Sequence, residues 1–338
     1  MTSLRAFVTR QIVPEALELI AGAAQVEVWP IQSPPSPQDL ANKIADADGV
    51  LTNIMDRVDG SMMDRAPKLK VISQLAVGLD NIDVGEASRH RILVGYTPGV
   101  LAKATADVGF ALLLSAARRV GEADRWVRAG RWEMAFHPMY WLGTEVHDAT
   151  LGIVGLGQTG LEMAKRARGF DMKVIYYSRT RKPEMEERYG LRFADPLTVL
   201  GTADFISLHV PLTPETRHFI GKRELHTMKP TAILINLARG PVVDSKALYT
   251  ALNEKWIRAA ALDVTDPEPI SPDDPLLTLD NIIITPHIGS ASIATRREMC
   301  LVAARNLVAG LKGQRLEHCA NPELYPSKGL GHQSSMPI

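Results

Sequence analysis

Three side chains that could bind or protonate a substrate follow short apolar runs in the second half of the chain. Arg239 comes directly after residues 233–238, Glu268 lies between two prolines, and His287 follows a Thr-Pro pair. An arginine fork binds a carboxylate and a neighbouring carbonyl, and a histidine, which titrates near neutral pH, can donate a proton. A carboxylate beside that histidine would favour its protonated form and fix its tautomer. Together the three fit the reduction of a 2-keto acid, although each alone is more simply a capping or loop residue.

Such a reduction needs a hydride donor, and residues 151–160, Leu-Gly-Ile-Val-Gly-Leu-Gly-Gln-Thr-Gly, predict a dinucleotide site. In a strand–turn–helix unit the first glycine permits a tight turn, the second admits a pyrophosphate and the third lets the helix pack on the strand. The free N–H groups of the helix would face the phosphates. Three glycines alone also fit an ordinary turn, so the strand before them and the helix after them carry the prediction. The expected contacts are Gly155, Leu156, Gly157, Gln158, Thr159 and Gly160.

The end of the next predicted strand indicates which nicotinamide cofactor is used. An NAD site places a carboxylate there, about 20 residues past the glycines, to accept the ribose 2′-OH. This strand instead ends in Ser178-Arg179-Thr180, with no acid. The two hydroxyls can donate to phosphate oxygens, and the guanidinium can grip a 2′-phosphate or stack on adenine. Although a basic run is usually only a solvated turn, this one lies at the discriminating position. We therefore expect NADPH to be preferred, with NADH bound more weakly.

Apolar runs of strand length alternate with helical patterns, which predicts an α/β fold with doubly wound parallel sheets. A glycine turn at residues 77–78 follows one strand, where α/β proteins bind ligands, although a plain turn fits equally well. Strands are predicted at residues 5–9, 26–29, 49–53, 70–75, 92–96, 151–154, 173–178, 204–210, 232–237, 258–264 and 281–286. Helices are predicted at residues 14–24, 37–47, 60–66, 105–120, 161–170, 183–189, 196–200, 221–228, 245–254 and 291–311.

The composition of the 338 residues excludes several classes of protein. Basic and acidic residues number 38 each, so we expect no binding to nucleic acid or to an anionic membrane. Two cysteines cannot form a disulfide framework, which suits a reducing compartment. The N-terminus lacks a signal stretch and no apolar run approaches membrane-spanning length, so a cytoplasmic location is expected. No metal site is predicted, and the Pro-, Gly- and Ser-rich tail from residue 321 is expected to be poorly ordered.

Residues 126–142 carry five aromatic side chains in a chain that is only 6% aromatic. A local core could bury them. We favour a subunit interface, because aromatic residues and arginine are enriched in interface cores. A homodimer is therefore expected, formed through an arm at about residues 121–150.

These motifs together resemble the D-isomer-specific 2-hydroxyacid dehydrogenase family, and within it the NADPH-using glyoxylate and hydroxypyruvate reductases. The resemblance covers about residues 51–313 and implies a small substrate domain, flavodoxin-like, at residues 1–100 and 289–320. It implies a Rossmann cofactor domain inserted at residues 101–288, which includes the arm. The segments that carry it are residues 76–83, 155–160, 176–182, 236–240, 262–264, 267–269 and 286–291.

The resemblance also implies roles for single residues. Arg239 would bind the substrate carboxylate and carbonyl, His287 would donate the proton, and Glu268 would hold His287. The amides of Val77 and Gly78 would bind the carboxylate, and Met55 would face the substrate side chain. Phe136 would reach the partner's site. The remaining cofactor contacts implied are Thr105, His209, Pro211, Leu237, Ala238, Asp263 and Gly289, besides Arg239 and His287 themselves.

The sequence departs from the family's pattern at two places. Gln158-Thr159 stands where Arg-Ile is more common, with little effect expected because that turn binds through its backbone. Met55 stands where relatives often carry leucine, which leaves the side-chain preference open. The alternatives are a dehydrogenase for a bulkier 2-keto acid and a dinucleotide-sensing corepressor, which shares this fold and the Arg, Glu and His. Formate and phosphite dehydrogenases fit less well, because the former pair their histidine with Gln and the latter lack this strand end.

Overall fold

The computed structural model describes residues 3–326, and the chain divides into two units. Among the described residues, the first unit comprises 3–100 and 293–326, and the second comprises Leu101–Ser292. The boundary expected at residues 288 and 289 therefore lies a few residues later. No helix among residues 3–326 is both long enough and apolar enough to cross a membrane.

The first unit begins with five strands that pair in parallel in the order β2-β1-β3-β4-β5, a doubly wound, flavodoxin-like arrangement. Local sequence explains its helices. Before the second of them the Ser36 hydroxyl accepts from the Asp39 N–H, and Pro37 occupies the first turn. The strands are β1 (Arg5–Val8), β2 (Gln25–Val28), β3 (Gly49–Thr52), β4 (Val71–Gln74) and β5 (Leu93–Gly95). The helices are α1 (Pro14–Ala21), α2 (Pro37–Ala45), α3 (Gly60–Asp64) and α4 (Val84–Arg89).

The second unit holds seven parallel strands in the order β12-β11-β10-β9-β6-β7-β8. The order reverses between β6 and β9, as in dinucleotide-binding sheets. Its strands are β6 (Thr150–Val154), β7 (Lys173–Tyr177), β8 (Leu191–Phe193), β9 (Phe205–Leu208), β10 (Ile233–Asn236), β11 (Ala259–Leu262) and β12 (Ile282–Ile284). Its helices are α5 (Ala102–Ala117), α6 (Val120–Arg128), α7 (Gln158–Ala167), α8 (Pro183–Tyr189), α9 (Pro196–Thr202), α10 (Lys222–Thr227) and α11 (Ser245–Asn253).

The predicted fold class is confirmed by these two sheets. Their central strands are almost wholly buried, which explains why the sequence shows continuous apolar runs rather than alternation. Three elements escaped prediction, α4, α6 and β8. The helix expected at residues 105–120 ends at Ala117, and Arg119, in a left-handed conformation at φ 56°, precedes the separate helix α6.

A last helix, α12 (Ile293–Leu311), returns to the first unit and covers its sheet. The Ser73 hydroxyl of β4 donates to the Ala303 carbonyl at 2.7 Å, which fastens strand to helix. The prediction of a poorly ordered tail from residue 321 starts that tail too early. Asn321 is buried, its Oδ1 accepts from the Val94 N–H and its Nδ2 donates to the Ile92 carbonyl. The rest of that prediction, residues 327–338, lies outside the described part of the chain.

The segment expected to form an arm contains little regular structure that could bury its apolar side chains. Helix α6 has no buried residue, and residues 129–149 contain neither helix nor strand. Trp126 and Trp141 meet edge to face with ring centroids 5.5 Å apart. Beyond that contact, Trp132 is 61% and Phe136 is 79% exposed. A local core therefore does not form within one chain.

Candidate active site

The candidate catalytic side chains follow three neighbouring strands. Arg239 comes after β10, Glu268 after β11 and His287 after β12. These strands are adjacent and parallel, so their carboxyl ends lie along one edge of the sheet. Such an edge is where α/β sheets bind ligands.

His287 and Glu268 form a hydrogen-bonded pair. The imidazole Nδ1 lies 2.6 Å from Glu268 Oε1, and both side chains are partly buried. Because the carboxylate accepts a hydrogen bond from Nδ1–H, it orients the ring and leaves Nε2 as the nitrogen that can act on a ligand. The predicted pairing of these two residues is thus found in the structure.

Asp263 fixes the loop that carries His287. Its buried carboxylate accepts from the Ile288 N–H at 2.8 Å, the Gly289 N–H at 2.7 Å and the Thr285 hydroxyl at 2.6 Å. The resemblance implied only that Asp263 lies near the cofactor. Its role in anchoring the loop that carries His287 was not predicted. A buried acid directly after a strand was the available signal, since such a group needs several donors.

The turn that carries Arg239 is held by a buried amide and by close backbone packing. Asn236 Nδ2 donates to the Arg239 carbonyl at 2.9 Å, and Asn236 Oδ1 accepts from the Ala238 N–H at 3.0 Å. A Cβ on Gly240 would lie 1.8 Å from the Thr265 carbonyl oxygen, so only glycine fits there. The Arg239 turn is therefore packed directly against the segment that leads to Glu268.

The glycine turn lies at the point where the strand order reverses. Gly155 has φ 98°, and a Cβ on it would lie 2.8 Å from the His209 carbonyl, so this turn requires glycine. A Cβ on Gly160 would lie 2.3 Å from the Gly155 carbonyl oxygen, which is the close helix–strand approach expected of the third glycine. At Gly157, which precedes α7, a Cβ would meet nothing within 4 Å. The space beside Gly157 and the helix N-terminus fits a pyrophosphate.

Ser178, Arg179 and Thr180 follow β7, next to the glycine turn, because the Gly155 N–H donates to the Tyr177 carbonyl at 2.8 Å. Arg181, in contrast, is engaged elsewhere: its Nε and Nη2 donate to Glu186 at 2.9 and 2.8 Å. Of the two arginines, Arg179 is therefore the better candidate for reading a phosphate.

An acid also lies within electrostatic reach of Arg179. The pKa of Glu215 is lowered chiefly by the Thr213 hydroxyl, then by its own backbone N–H, and to a smaller extent by the Arg179 charge. Glu215 belongs to the loop after β9 that also contains Pro211. A phosphate bound by Arg179 would compete with this carboxylate.

The other predicted cofactor residues of the second unit fall in three groups. His209 and Pro211 follow β9 at the reversal point. Thr105 of α5 and Gly289 lie against each other, since a Cβ on Gly289 would be 3.2 Å from the threonine methyl. Leu156 lies in the glycine turn, and Leu237 and Ala238 lie in the turn that carries Arg239. Leu156 and Ala238 are buried.

Met55, Val77 and Gly78 belong to the first unit. Met55 follows β3 and the other two follow β4, so all three lie at the carboxyl edge of that sheet. Met55 and Val77 are exposed apolar side chains, 42% and 40%. Their predicted contacts with substrate stay predictions.

Two parallel doubly wound sheets, a glycine turn at one reversal point and a His–Glu pair at the carboxyl ends of strands in the same sheet define a class of nicotinamide-dependent dehydrogenases. Comparison with known proteins identifies the family. A sequence model of the D-isomer specific 2-hydroxyacid dehydrogenase NAD binding domain matches residues 110–289. The chain therefore belongs to the D-isomer specific 2-hydroxyacid dehydrogenase family and is an NAD(P)-dependent oxidoreductase, which confirms the resemblance inferred from its motifs.

Relatives match over nearly the whole chain. A glyoxylate reductase of Korarchaeum cryptofilum is 46% identical over 329 residues, which cover 97% of this chain and 99% of that protein. One of Thermococcus litoralis is 48% identical and covers 96% and 98%. Among solved structures, an NADPH-dependent glyoxylate/hydroxypyruvate reductase from Sinorhizobium meliloti, in complex with NADP and malonate, has a TM-score of 0.84. It is 29% identical, and the match covers 97% of this chain and 100% of that one.

Proposed function

We propose that the protein reduces glyoxylate to glycolate and hydroxypyruvate to D-glycerate with NADPH. The observation that carries the proposal is the His287–Glu268 pair at 2.6 Å, which supplies an oriented proton donor on the coenzyme-binding sheet. Whole-length relatives with the name glyoxylate reductase support the first substrate. The Sinorhizobium meliloti enzyme, whose name includes both substrates, supports the second.

In this proposal each residue has one task. Arg239 binds the substrate carboxylate and orients the keto oxygen, as a rigid fork of N–H donors does. His287 Nε2 gives its proton to that oxygen, while Glu268 stabilises the imidazolium. When bound, the reduced nicotinamide supplies the hydride to the keto carbon, so hydride and proton together yield the hydroxy acid. Asp263 keeps the His287 loop in place through its three hydrogen bonds.

In this proposal, residues 101–292 would bind the coenzyme and also supply Arg239 and His287 to the substrate, and residues of the first unit would supply the other substrate contacts. Gly157 and the start of α7 would hold the pyrophosphate, and Ser178, Arg179 and Thr180 would hold the 2′-phosphate. The strand end has no carboxylate to accept a ribose 2′-OH, which favours NADPH over NADH. NADH, which lacks the 2′-phosphate, would be the weaker coenzyme.

In the first unit, the amides of Val77 and Gly78 would bind the substrate carboxylate and Met55 would limit the size of its side chain. We also propose a homodimer formed through residues 121–150. The support is the exposed apolar surface of that segment, which includes Trp132, Phe136 and Tyr140. The further idea that Phe136 reaches the partner's site belongs to the same proposal.

A panel of 2-keto acids assayed with both nicotinamides tests the function. We expect higher kcat/KM with NADPH than with NADH, and higher values for glyoxylate and hydroxypyruvate than for bulkier 2-keto acids. Arg239→Ala should lower kcat/KM for glyoxylate by about 100-fold or more, because a charge-assisted fork is lost. A corepressor-like protein would bind NADPH with negligible turnover, and that result would overturn the proposal.

A further inference from the structure

Buried polar side chains fasten together the loops after β1 and β3 in the first unit. Asp56 has only 1% of its side chain exposed. Its Oδ1 accepts from Arg10 Nη2 at 3.0 Å, and its Oδ2 accepts from the Asn53 N–H at 2.9 Å and from the Thr9 hydroxyl. The sheet order of this unit reverses between β1 and β3, so the carboxylate fills the position where such sheets commonly bind a ligand.

Asn81 joins this cluster to the loop after β4. Its Nδ2 donates to two carbonyls of the neighbouring loop, Asn53 at 3.0 Å and Asp56 at 2.7 Å. Its Oδ1 accepts from Gln74 Nε2 at 2.7 Å, and Gln74 Oε1 in turn accepts from the Thr52 hydroxyl at 2.7 Å. We call the set Thr9, Arg10, Thr52, Asn53, Asp56, Gln74 and Asn81 the Asn81 network.

Every polar side-chain atom of Asp56, Gln74 and Asn81 has a partner in this network. A fully bonded buried network fixes one arrangement of the chain, whereas apolar packing of the same volume would stabilise at least as well. Exposed residues follow in the same loops: the Met55 N–H donates to Asn53 Oδ1 at 2.8 Å, and Val77 precedes Gly78, whose carbonyl accepts from Gln74 Nε2 at 3.3 Å. The network therefore determines where the two loops that carry these residues lie.

We propose that Asn81 is a positioning residue that presets the loops of Met55 and of Val77–Gly78 for the substrate. The proposal rests on the proposed function, in which the amides of Val77 and Gly78 bind the substrate carboxylate. Asn81 itself touches no substrate. It acts by holding the loop of Val77–Gly78 against the loop of Met55, so that the amides of Val77 and Gly78 and the side chain of Met55 keep a fixed spacing. A prearranged site binds more tightly because less freedom is lost on binding.

A purely structural role for Asn81 would have a different signature. It would lower the melting temperature and leave the kinetics of the folded enzyme unchanged. Positioning predicts a higher KM for the keto acid with little change in kcat, as expected when binding shared by ground state and transition state is lost. The KM for NADPH should stay constant, because the proposed coenzyme residues all lie in residues 101–292.

The test compares Asn81→Ala with wild type in steady-state assays with glyoxylate and NADPH. Asn81→Ala removes three hydrogen bonds. The two that Nδ2 donates to the neighbouring loop, each worth roughly fivefold in an equilibrium, should together raise the KM for glyoxylate about 25-fold. The affinity of oxalate, a planar unreactive dicarboxylate, should fall by a similar factor in calorimetry with NADP present. Asn42→Ala, at an exposed asparagine of the same unit, is the matched control and should leave both values unchanged.

Thr52→Val provides a second, milder variant in case Asn81→Ala does not fold. It is close to isosteric and removes only the hydrogen bond that orients Gln74, so a smaller increase in the same KM is expected. Unchanged KM for glyoxylate in the folded variants would overturn the role of Asn81, even if their melting temperatures fall. Absence of glyoxylate turnover in the wild type would instead overturn the proposed function. The two failures are thus distinguishable.

Discussion

The variant Gly157→Ala tests coenzyme binding separately from folding. An added methyl group would meet no protein atom at Gly157, which precedes α7, but would clash with the backbone at Gly160, within α7. At Gly157 an added Cβ has nothing within 4 Å, and the backbone, at φ −81° and ψ −160°, suits alanine. The unliganded protein should therefore keep its stability or gain up to about 1 kcal/mol. A pyrophosphate packed on this glycine would have to move by roughly 1 Å, which costs about 1–3 kcal/mol. The Kd for NADPH should accordingly rise about 5- to 150-fold.

Gly160→Ala is the matched comparison, with the opposite expectation. Its Cβ would lie 2.3 Å from the Gly155 carbonyl oxygen and 3.1 Å from an Ile153 methyl, so α7 must shift to accept it. This overpacking should lower the free energy of unfolding by about 1–3 kcal/mol before any coenzyme is added. The measurements are urea unfolding without ligand and fluorescence titration with NADPH. Unchanged NADPH affinity in Gly157→Ala, or equal destabilisation by both variants, would refute the assignment of the turn.

Three further predictions concern the proton donor, the coenzyme and the subunit interface. Glu268→Gln keeps an acceptor for His287 Nδ1 but removes its charge. Because charge-assisted hydrogen bonds are about twice as strong as neutral ones, kcat should fall about tenfold, and an unchanged kcat would contradict the pairing role. Ser178→Asp places a carboxylate where a 2′-phosphate would bind and should lower the NADPH-to-NADH ratio of kcat/KM about tenfold or more; an unchanged ratio would count against the coenzyme assignment. Trp132→Ser combined with Phe136→Ser should convert a dimer to monomer in light scattering, whereas Leu277→Ser, at an exposed apolar residue outside the arm, should not. A monomeric wild type would refute the interface.

Much of the fold was predictable because the sheets are parallel and buried. Their strands are continuous apolar runs, such as residues 233–236, that end in polar or glycine residues, and this pattern is visible in a single sequence. The three-residue strand β8 was missed, because Leu-Arg-Phe is too short to show a period. The break between α5 and α6 was also missed. It depends on the left-handed conformation of Arg119, and arginine is not a residue type that predicts this conformation.

The candidate site was predictable where chemistry dictates the residue type and unpredictable where packing assigns the role. Arg, Glu and His at strand ends predict keto acid reduction from their side-chain chemistry alone. Asp263, an acid directly after a buried strand, gave a weaker signal and Asn81 gave none, since the importance of both lies in which backbone groups they contact. Asp263 reaches residues 25 and 26 positions away in sequence, and Asn81 reaches back 25 and 28 positions. Partners at such separations follow from tertiary contacts, which a single sequence does not contain.

His209 shows how the reversal point of the second sheet ties stability to pH. Its Nε2 lies 2.8 Å from the Ser207 hydroxyl, and its Nδ1 has no solvent contact and no hydrogen-bond partner among residues 3–326. Burial lowers the pKa of His209 to about 3, so the ring stays neutral in the folded protein at working pH. In the unfolded chain a histidine takes up a proton near pH 6.5. Below that pH the unfolded state binds the extra proton, so the stability contributed by this residue is complete above pH 6.5 and declines as pH falls toward 3.

The expected loss at pH 5 is about 2 kcal/mol, and it barely depends on the folded-state pKa provided that value lies well below 5. His209→Gln keeps a polar group able to reach Ser207 but cannot take up a proton. Between pH 7.5 and pH 5, urea unfolding should therefore show about 2 kcal/mol less destabilisation in this variant than in wild type. His218→Gln, at an exposed histidine, controls for the removal of one imidazole. Carboxylates that titrate over the same range contribute equally to both proteins and cancel in the difference. Parallel pH dependences for wild type and His209→Gln would mean that water or a ligand group reaches Nδ1 and that the ring is not kept neutral by burial.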